Sequence, residues 1–190
     1  MPMMNVEALS FEETRRKAEA RLSGALGGAC SVVVCHAPTM DLFGEIEEIE
    51  GHRFRRELRY TREELSSRSR KGGFTCLMVY LDGEAVAFDF GYDDAEEGAF
   101  FSDSAAALIE RRGIGAALTA LEALYCFEAG YRSVKMITEE EDESGRRLRE
   151  YWERFGFRVT GVDPSVGVEM RLDLGPEVVV DLCARYILKT

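Results

Sequence analysis

Glu110-Arg111-Arg112-Gly113-Ile114-Gly115-Ala116-Ala117-Leu118 is the stretch on which the fold turns. Upstream, Ala99 to Ala105 reads as a short strand of aromatic and small residues. Downstream, Ile114, Ala117, Leu118, Leu121, Leu124 and Tyr125 recur at three- and four-residue steps, the spacing of one buried helix face. Gly130 supplies the stop. A strand therefore enters a loop of two arginines and two glycines, and the loop opens a helix. The first N–H groups of a helix lack partners and the dipole there is positive. Glycine lets that backbone come close to a ligand, so the arrangement suits a pyrophosphate. A Walker loop is excluded, because Ala116-Ala117 follow the last glycine instead of Lys-Ser/Thr. The dinucleotide fingerprint is excluded too, since Leu118 occupies its third glycine position.

Outward from this stretch the elements alternate. Ser10 and Glu13 form a capping box for a charged helix through about Leu22, so residues 1–28 read as an appended helix. It either covers the sheet or serves an interface. Ser31 to Cys35 is a β-branched strand, and His36 at its end reads as a structural residue. Asp41 to about Arg53 is helical, with Gly51 expected to interrupt it. Thr61 and Glu64 make a second capping box. Phe74–Tyr80 and Ala85–Tyr92 are strands joined by the turn pair Asp82-Gly83. Asp89 and Asp103 are carboxylates inside strands, each open to two readings: a catalytic base or a solvent-facing residue.

After the central helix, Ser133–Thr138 is a strand, which makes a parallel crossover beside the preceding one. Ser144 is expected to cap a helix from Gly145 to Phe155. Phe157–Gly161 and Val166–Leu174 are the last strands. Pro176 opens a segment, residues 175–190, that reads as a C-terminal helix, although Val178-Val179-Val180 also permits a strand.

Nearly half of the 190 residues are apolar (46%), enough for one substantial core. The net charge of −11 argues against binding nucleic acid or an anionic membrane. It serves solubility, or it draws in a cationic amine. Five scattered cysteines with two histidines make neither a disulfide framework nor a metal site. The opening residues do not read as a signal peptide and no run is long enough to span a bilayer, so a cytoplasmic location is expected.

A second motif, Tyr151-Trp152-Glu153-Arg154-Phe155-Gly156-Phe157, follows the first at a distance that leaves room for a helix and a strand. Together the two resemble landmarks of the GNAT superfamily of N-acetyltransferases: a pyrophosphate loop Q/R-x-x-G-x-G/A, then an aromatic pair and Gly-Phe. The resemblance covers about Ser31 to Leu174, with residues 29–174 as the acyltransferase domain. It implies an α/β fold with a mostly antiparallel mixed sheet, whose parallel fourth and fifth strands splay apart. It further implies acetyl-CoA as co-substrate and an amine-bearing small molecule or peptide as acceptor, with no metal; a homodimer stays open. Pantetheine would pair with the backbone of Asp103, Ser104 and Ala105, and the pyrophosphate with Arg111, Arg112, Gly113, Ile114, Gly115 and Ala116.

Three positions depart from the family pattern. Glu110 stands where Gln or Arg is usual, and is expected to point outward. Gly145 replaces a common asparagine. Trp152, a cofactor-contacting position, replaces the tyrosine that often protonates the leaving thiolate; its indole cannot act as a general acid. Tyr151 is the neighbouring candidate acid. Counting back from the aromatic pair, the resemblance places a general base at Glu140, with Glu139 adjacent. The other reading is a catalytically weak acyl-CoA-binding domain. Residues Phe54 to Tyr60 are either an acceptor-binding segment or a linker with buried aromatics.

Overall fold

The computed structural model describes residues 9–189. Among them six α-helices and seven strands follow in the order α1 Phe11–Leu26, β1 Cys30–Cys35, α2 Met40–Arg53, α3 Arg62–Ser69, β2 Thr75–Leu81, β3 Glu84–Asp93, β4 Ala99–Ala107, α4 Ile114–Glu128, β5 Ser133–Thr138, α5 Leu148–Glu153, β6 Arg158–Asp163, β7 Gly167–Asp173 and α6 Pro176–Cys183. The strands form one sheet in the order β1-β2-β3-β4-β5-β7-β6. Every neighbouring pair is antiparallel except β4 and β5. No helix among the described residues is long and apolar enough to cross a membrane.

Each face of the sheet carries its own core. Helices α1, α4 and α6 bury Leu22, Leu121, Leu124 and Val179 on one face. The other face packs α2 and α3, through Ile46, Ile49 and Leu65, against Phe88 and Phe90. Helix α1 thus covers the sheet, with Phe11, Ala18 and Leu22 in the same core as α4. It runs past Leu22 to Leu26, because Gly24 lies on its exposed side and costs no packing. The C-terminal segment is helical, and α6 continues into a π-helical turn, Ala184–Leu188.

Two expectations fail locally. Helix α2 continues through Gly51, an exposed position. Helix α5 starts at Leu148 rather than Gly145, and Ser144 caps nothing. The Asp142 carboxylate accepts the N–H groups of Ser144 and Arg146, both at 2.9 Å, and closes a turn there. That turn holds Gly145 at φ +73°, outside any right-handed helix.

Neither strand aspartate faces solvent. Asp89 is 4% exposed and titrates together with Glu122 of α4, which is 6% exposed, with Ser102 beside both. Asp89 Oδ1 and Glu122 Oε1 are buried without a hydrogen-bond partner among the described residues. Burial raises both carboxyls, so the pair holds a proton. Glu50 of α2, wholly buried, is pushed up to about 7 for the same reason. Unfolded carboxyls titrate near 4. Between about pH 4 and 7 the folded chain therefore binds more protons than the unfolded one, and these groups lose stability as pH rises. The expected result is a higher melting temperature near pH 5.5 than near pH 8. Glu122→Gln, which needs no proton, should shrink that difference; an unchanged pH slope in the variant would disprove the shared proton.

Candidate acyl-transfer site

Strands β4 and β5 pair only through Ala99↔Ser133, Phe100↔Val134 and Phe101↔Lys135. From Ser102 and Met136 onward they part, which leaves one edge of β4 without a strand partner as far as Ala107. An exposed strand edge is a row of unpaired N–H and C=O groups, suited to a ligand that bonds like a strand. The register against β3 shifts between Phe90↔Ser104 and Gly91↔Ser102, so Asp103 is the extra residue of a bulge at the start of the opening.

The loop from β4 to α4 stands at the mouth of this wedge. Arg111 has φ +57° and Gly113, the N-cap of α4, has φ +86°. Gly113 gives no side-chain cap, and the helical ladder begins only at Ala117 N–H to Gly113 O, 2.9 Å. The N–H groups of Ile114, Gly115 and Ala116 thus open the helix without intrahelical partners. A β-carbon placed on Gly113 would meet no atom within 4 Å, and Arg111 and Arg112 are exposed beside it. The loop combines free donors, a positive dipole end, open space and two cations, which fits a pyrophosphate. Glu110 is drawn into ion pairs with Arg53 and with Arg146, whose Nη1 lies 2.9 Å from it. Its charge is met by guanidinium groups rather than left to oppose a phosphate.

On the α2 face a strap, residues 54–60, crosses the opening. At one end the Tyr60 hydroxyl donates to Asp103 at 2.9 Å, and Glu50 accepts the Tyr60 N–H at 2.8 Å. At the other, Arg55 pairs with Glu139, just past β5, and reaches Glu143 at 3.8 Å. Asp103 also accepts from Tyr92 Oη (3.0 Å) and Arg68 Nε (2.7 Å), and its side chain is 7% exposed. With three donors on it, Asp103 is a structural node of the strap. Glu50 additionally accepts from Ser104 Oγ at 3.4 Å, linking α2 to β4.

The structure separates the remaining candidates. On β5, Lys135 pairs with Phe101, and alternation puts Ile137 in the same row; Glu139, just past the strand, meets Arg55 of the strap. Glu140 is exposed and pairs with Arg149 at 3.2 Å. Tyr151 lies beneath the start of α4, its hydroxyl 3.1 Å from where a β-carbon on Gly115 would stand. Its ring packs edge-on against Trp152 and Phe155 at 5.0 and 5.1 Å, and burial raises its pKa. Trp152, half-buried, packs tilted against Phe155 and edge-on against Phe157. His36 is structural: its Nδ1 lies 3.2 Å from Thr75 Oγ1. Glu50 and Tyr92 carry no role in the sequence reading, and Arg55 falls within Phe54–Tyr60, the segment read as acceptor-binding or linker. For Glu50 a signal exists: it falls four residues after Ile46, on the apolar stripe of α2, where a lone acid needs a partner.

A family model described as Acetyltransferase (GNAT) domain matches residues 15–145. No curated protein matches the chain in sequence. Solved structures of similar shape include an aminoglycoside 6′-N-acetyltransferase complexed with coenzyme A. It is 12% identical with a TM-score of 0.65, covering 76% of this chain and 97% of that one. The ribosomal-protein-S18-alanine N-acetyltransferase of Escherichia coli is also 12% identical, with a TM-score of 0.60 and coverage of 76% and 94%. Ard1 of Thermoplasma volcanium is 17% identical, with a TM-score of 0.61 and coverage of 76% and 98%. At these identities the likeness is one of fold.

Proposed function

Because the chain belongs to the GNAT acetyltransferase family, we propose that it transfers an acetyl group from acetyl-CoA to an amine of a small molecule or peptide. The observation that carries this reading is the short β4–β5 pairing, which opens the β4 edge beside the uncapped start of α4. In this reading the pantetheine amides pair with the backbone of Asp103, Ser104 and Ala105. The N–H groups of Gly113, Ile114, Gly115 and Ala116, with Arg111 and Arg112, hold the pyrophosphate. Trp152 lines the cofactor side.

An amine is protonated near neutral pH and must lose a proton before nitrogen can attack the thioester. We assign that proton to Glu139, on the strap side of β5, directly or through a water; Arg55 holds the carboxylate until a cationic amine takes its place. A thiol with a pKa near that of cysteine, about 8.5, leaves as thiolate without a dedicated acid. Tyr151, directed at the first turn of α4, is therefore a minor contributor.

Trp152 at the usual tyrosine position favours a second reading, an acyl-CoA-binding domain with little turnover. Titration calorimetry with acetyl-CoA, followed by turnover on amine, polyamine, aminoglycoside and peptide panels, separates the two. Binding with turnover supports acetyl transfer, and binding without turnover supports the second reading. No binding at millimolar acetyl-CoA rules out both.

A further inference from the structure

The segment from the end of α2 through α3 is basic in an acidic protein. Residues 53–71 hold eight of the 24 lysines and arginines, against three glutamates, while the whole chain carries −11. Four of the eight are already engaged by carboxylates: Arg53 by Glu110, Arg55 by Glu139, Arg62 by Glu47 and Arg68 by Asp103. Among the described residues, Arg56, Arg59, Arg70 and Lys71 have no carboxylate within ion-pair distance, and all four are exposed. Arg59 Nε donates only to the Phe54 carbonyl and Arg70 only to Ser66 Oγ; Lys71 lies over the Tyr92 ring at 3.8 Å. Arg59 precedes Tyr60 in the strap and Lys71 covers Tyr92, and these two tyrosines both donate to Asp103.

We infer that the acceptor is a peptide whose amino terminus is followed by acidic residues. This rests on the acetyl-transfer reading and names its substrate class. The ammonium end would go to Glu139, displacing Arg55, and the carboxylates that follow would meet Arg56 and Arg59 on the strap, then Arg70 and Lys71 at the end of α3. Free cations spread over two elements, with exposed Leu58 between them on the strap, fit an extended chain better than a single head group. The overall negative charge does not oppose this. At physiological salt the Debye length is about 8 Å, so the cations nearest the acceptor set its local potential. The same segment disfavours polyamines and aminoglycosides, whose multiple ammonium groups would face unpaired guanidinium groups.

The test uses two fluorescein-labelled peptides of one length, with Asp-Glu or Lys-Arg after an N-terminal alanine. Binding to the acetyl-CoA-saturated full chain is read by anisotropy, and turnover is read separately. The acidic peptide should bind at least about tenfold tighter, and added salt should weaken it. In Arg56→Glu/Arg59→Glu that preference should fall about tenfold or reverse, with acetyl-CoA affinity unchanged as a check on folding. Equal binding of both peptides, or tighter binding of the basic one by wild type, overturns the inference. So does a double variant that retains acetyl-CoA binding and the full preference for acid. Acidic preference without turnover would sink the acetyl-transfer reading and leave the recognition surface standing.

Discussion

Replacing Gly113 with valine is expected to weaken acetyl-CoA binding by at least about a hundredfold, or ~2.8 kcal/mol. Gly113 caps α4 at φ +86° with nothing within 4 Å of its β-carbon position, at the point where free N–H groups begin. A branched side chain would fill that open space and hold the phosphates away from the donors. It would also strain the backbone, because a left-handed conformation costs an ordinary residue ~1–2 kcal/mol. For a chain of this size that is a fall of several degrees in melting temperature rather than unfolding. Gly113→Ala carries the same backbone strain with a smaller obstruction, and should bind acetyl-CoA with intermediate affinity. Calorimetry on both variants, with circular dichroism to confirm the fold, measures this. A folded valine variant with wild-type affinity would move the pyrophosphate elsewhere.

Glu139→Gln is expected to lower kcat about a hundredfold near neutral pH, the ordinary scale of a lost general base. The deficit should narrow at high pH, where free amine is abundant and needs no base. Glu140→Gln should cost less than about tenfold, because Glu140 is exposed and committed to Arg149. Tyr151→Phe should also stay under about tenfold, or ~1.4 kcal/mol of barrier. These three variants are to be compared as pH–rate profiles on one acceptor. If Glu140→Gln carried the large, pH-dependent loss while Glu139→Gln did not, the base would be Glu140. A loss centred on Tyr151 would make that tyrosine the proton donor.

Which acid after β5 meets the strap is decided in three dimensions. Glu139, Glu140, Glu141 and Glu143 are nearly equivalent in sequence, a run of acids after a strand. Pairing of Lys135 with Phe101 fixes which face each residue of β5 takes; Arg55 of the strap pairs with Glu139 and reaches Glu143, while Glu140 goes to Arg149. Asp103 shows the same limit. Strand alternation alone leaves it between solvent and active site, yet the bulge turns it toward three donors drawn from the strap, α3 and β3. Asp89 needed Glu122, distant in the chain, before its burial made sense.

What the sequence determined by itself is local or periodic. The step pattern of α4 sets the helix. Arginines and glycines before it set the loop that opens it, Thr61 and Glu64 set the start of α3, and the two motifs in order set the family fold. These follow from interactions within a few residues, where backbone geometry and side-chain period leave one answer. What tertiary structure decided is everything that depends on which residues meet across elements. Packing chose the sheet over an interface as the surface α1 covers, and the turn at Asp142 delayed α5 to Leu148. Unpaired β4 edge, strap and loop cations converge only because the β4–β5 pairing stops at Phe101 and Lys135, and a contact between residues so far apart leaves no local pattern to read.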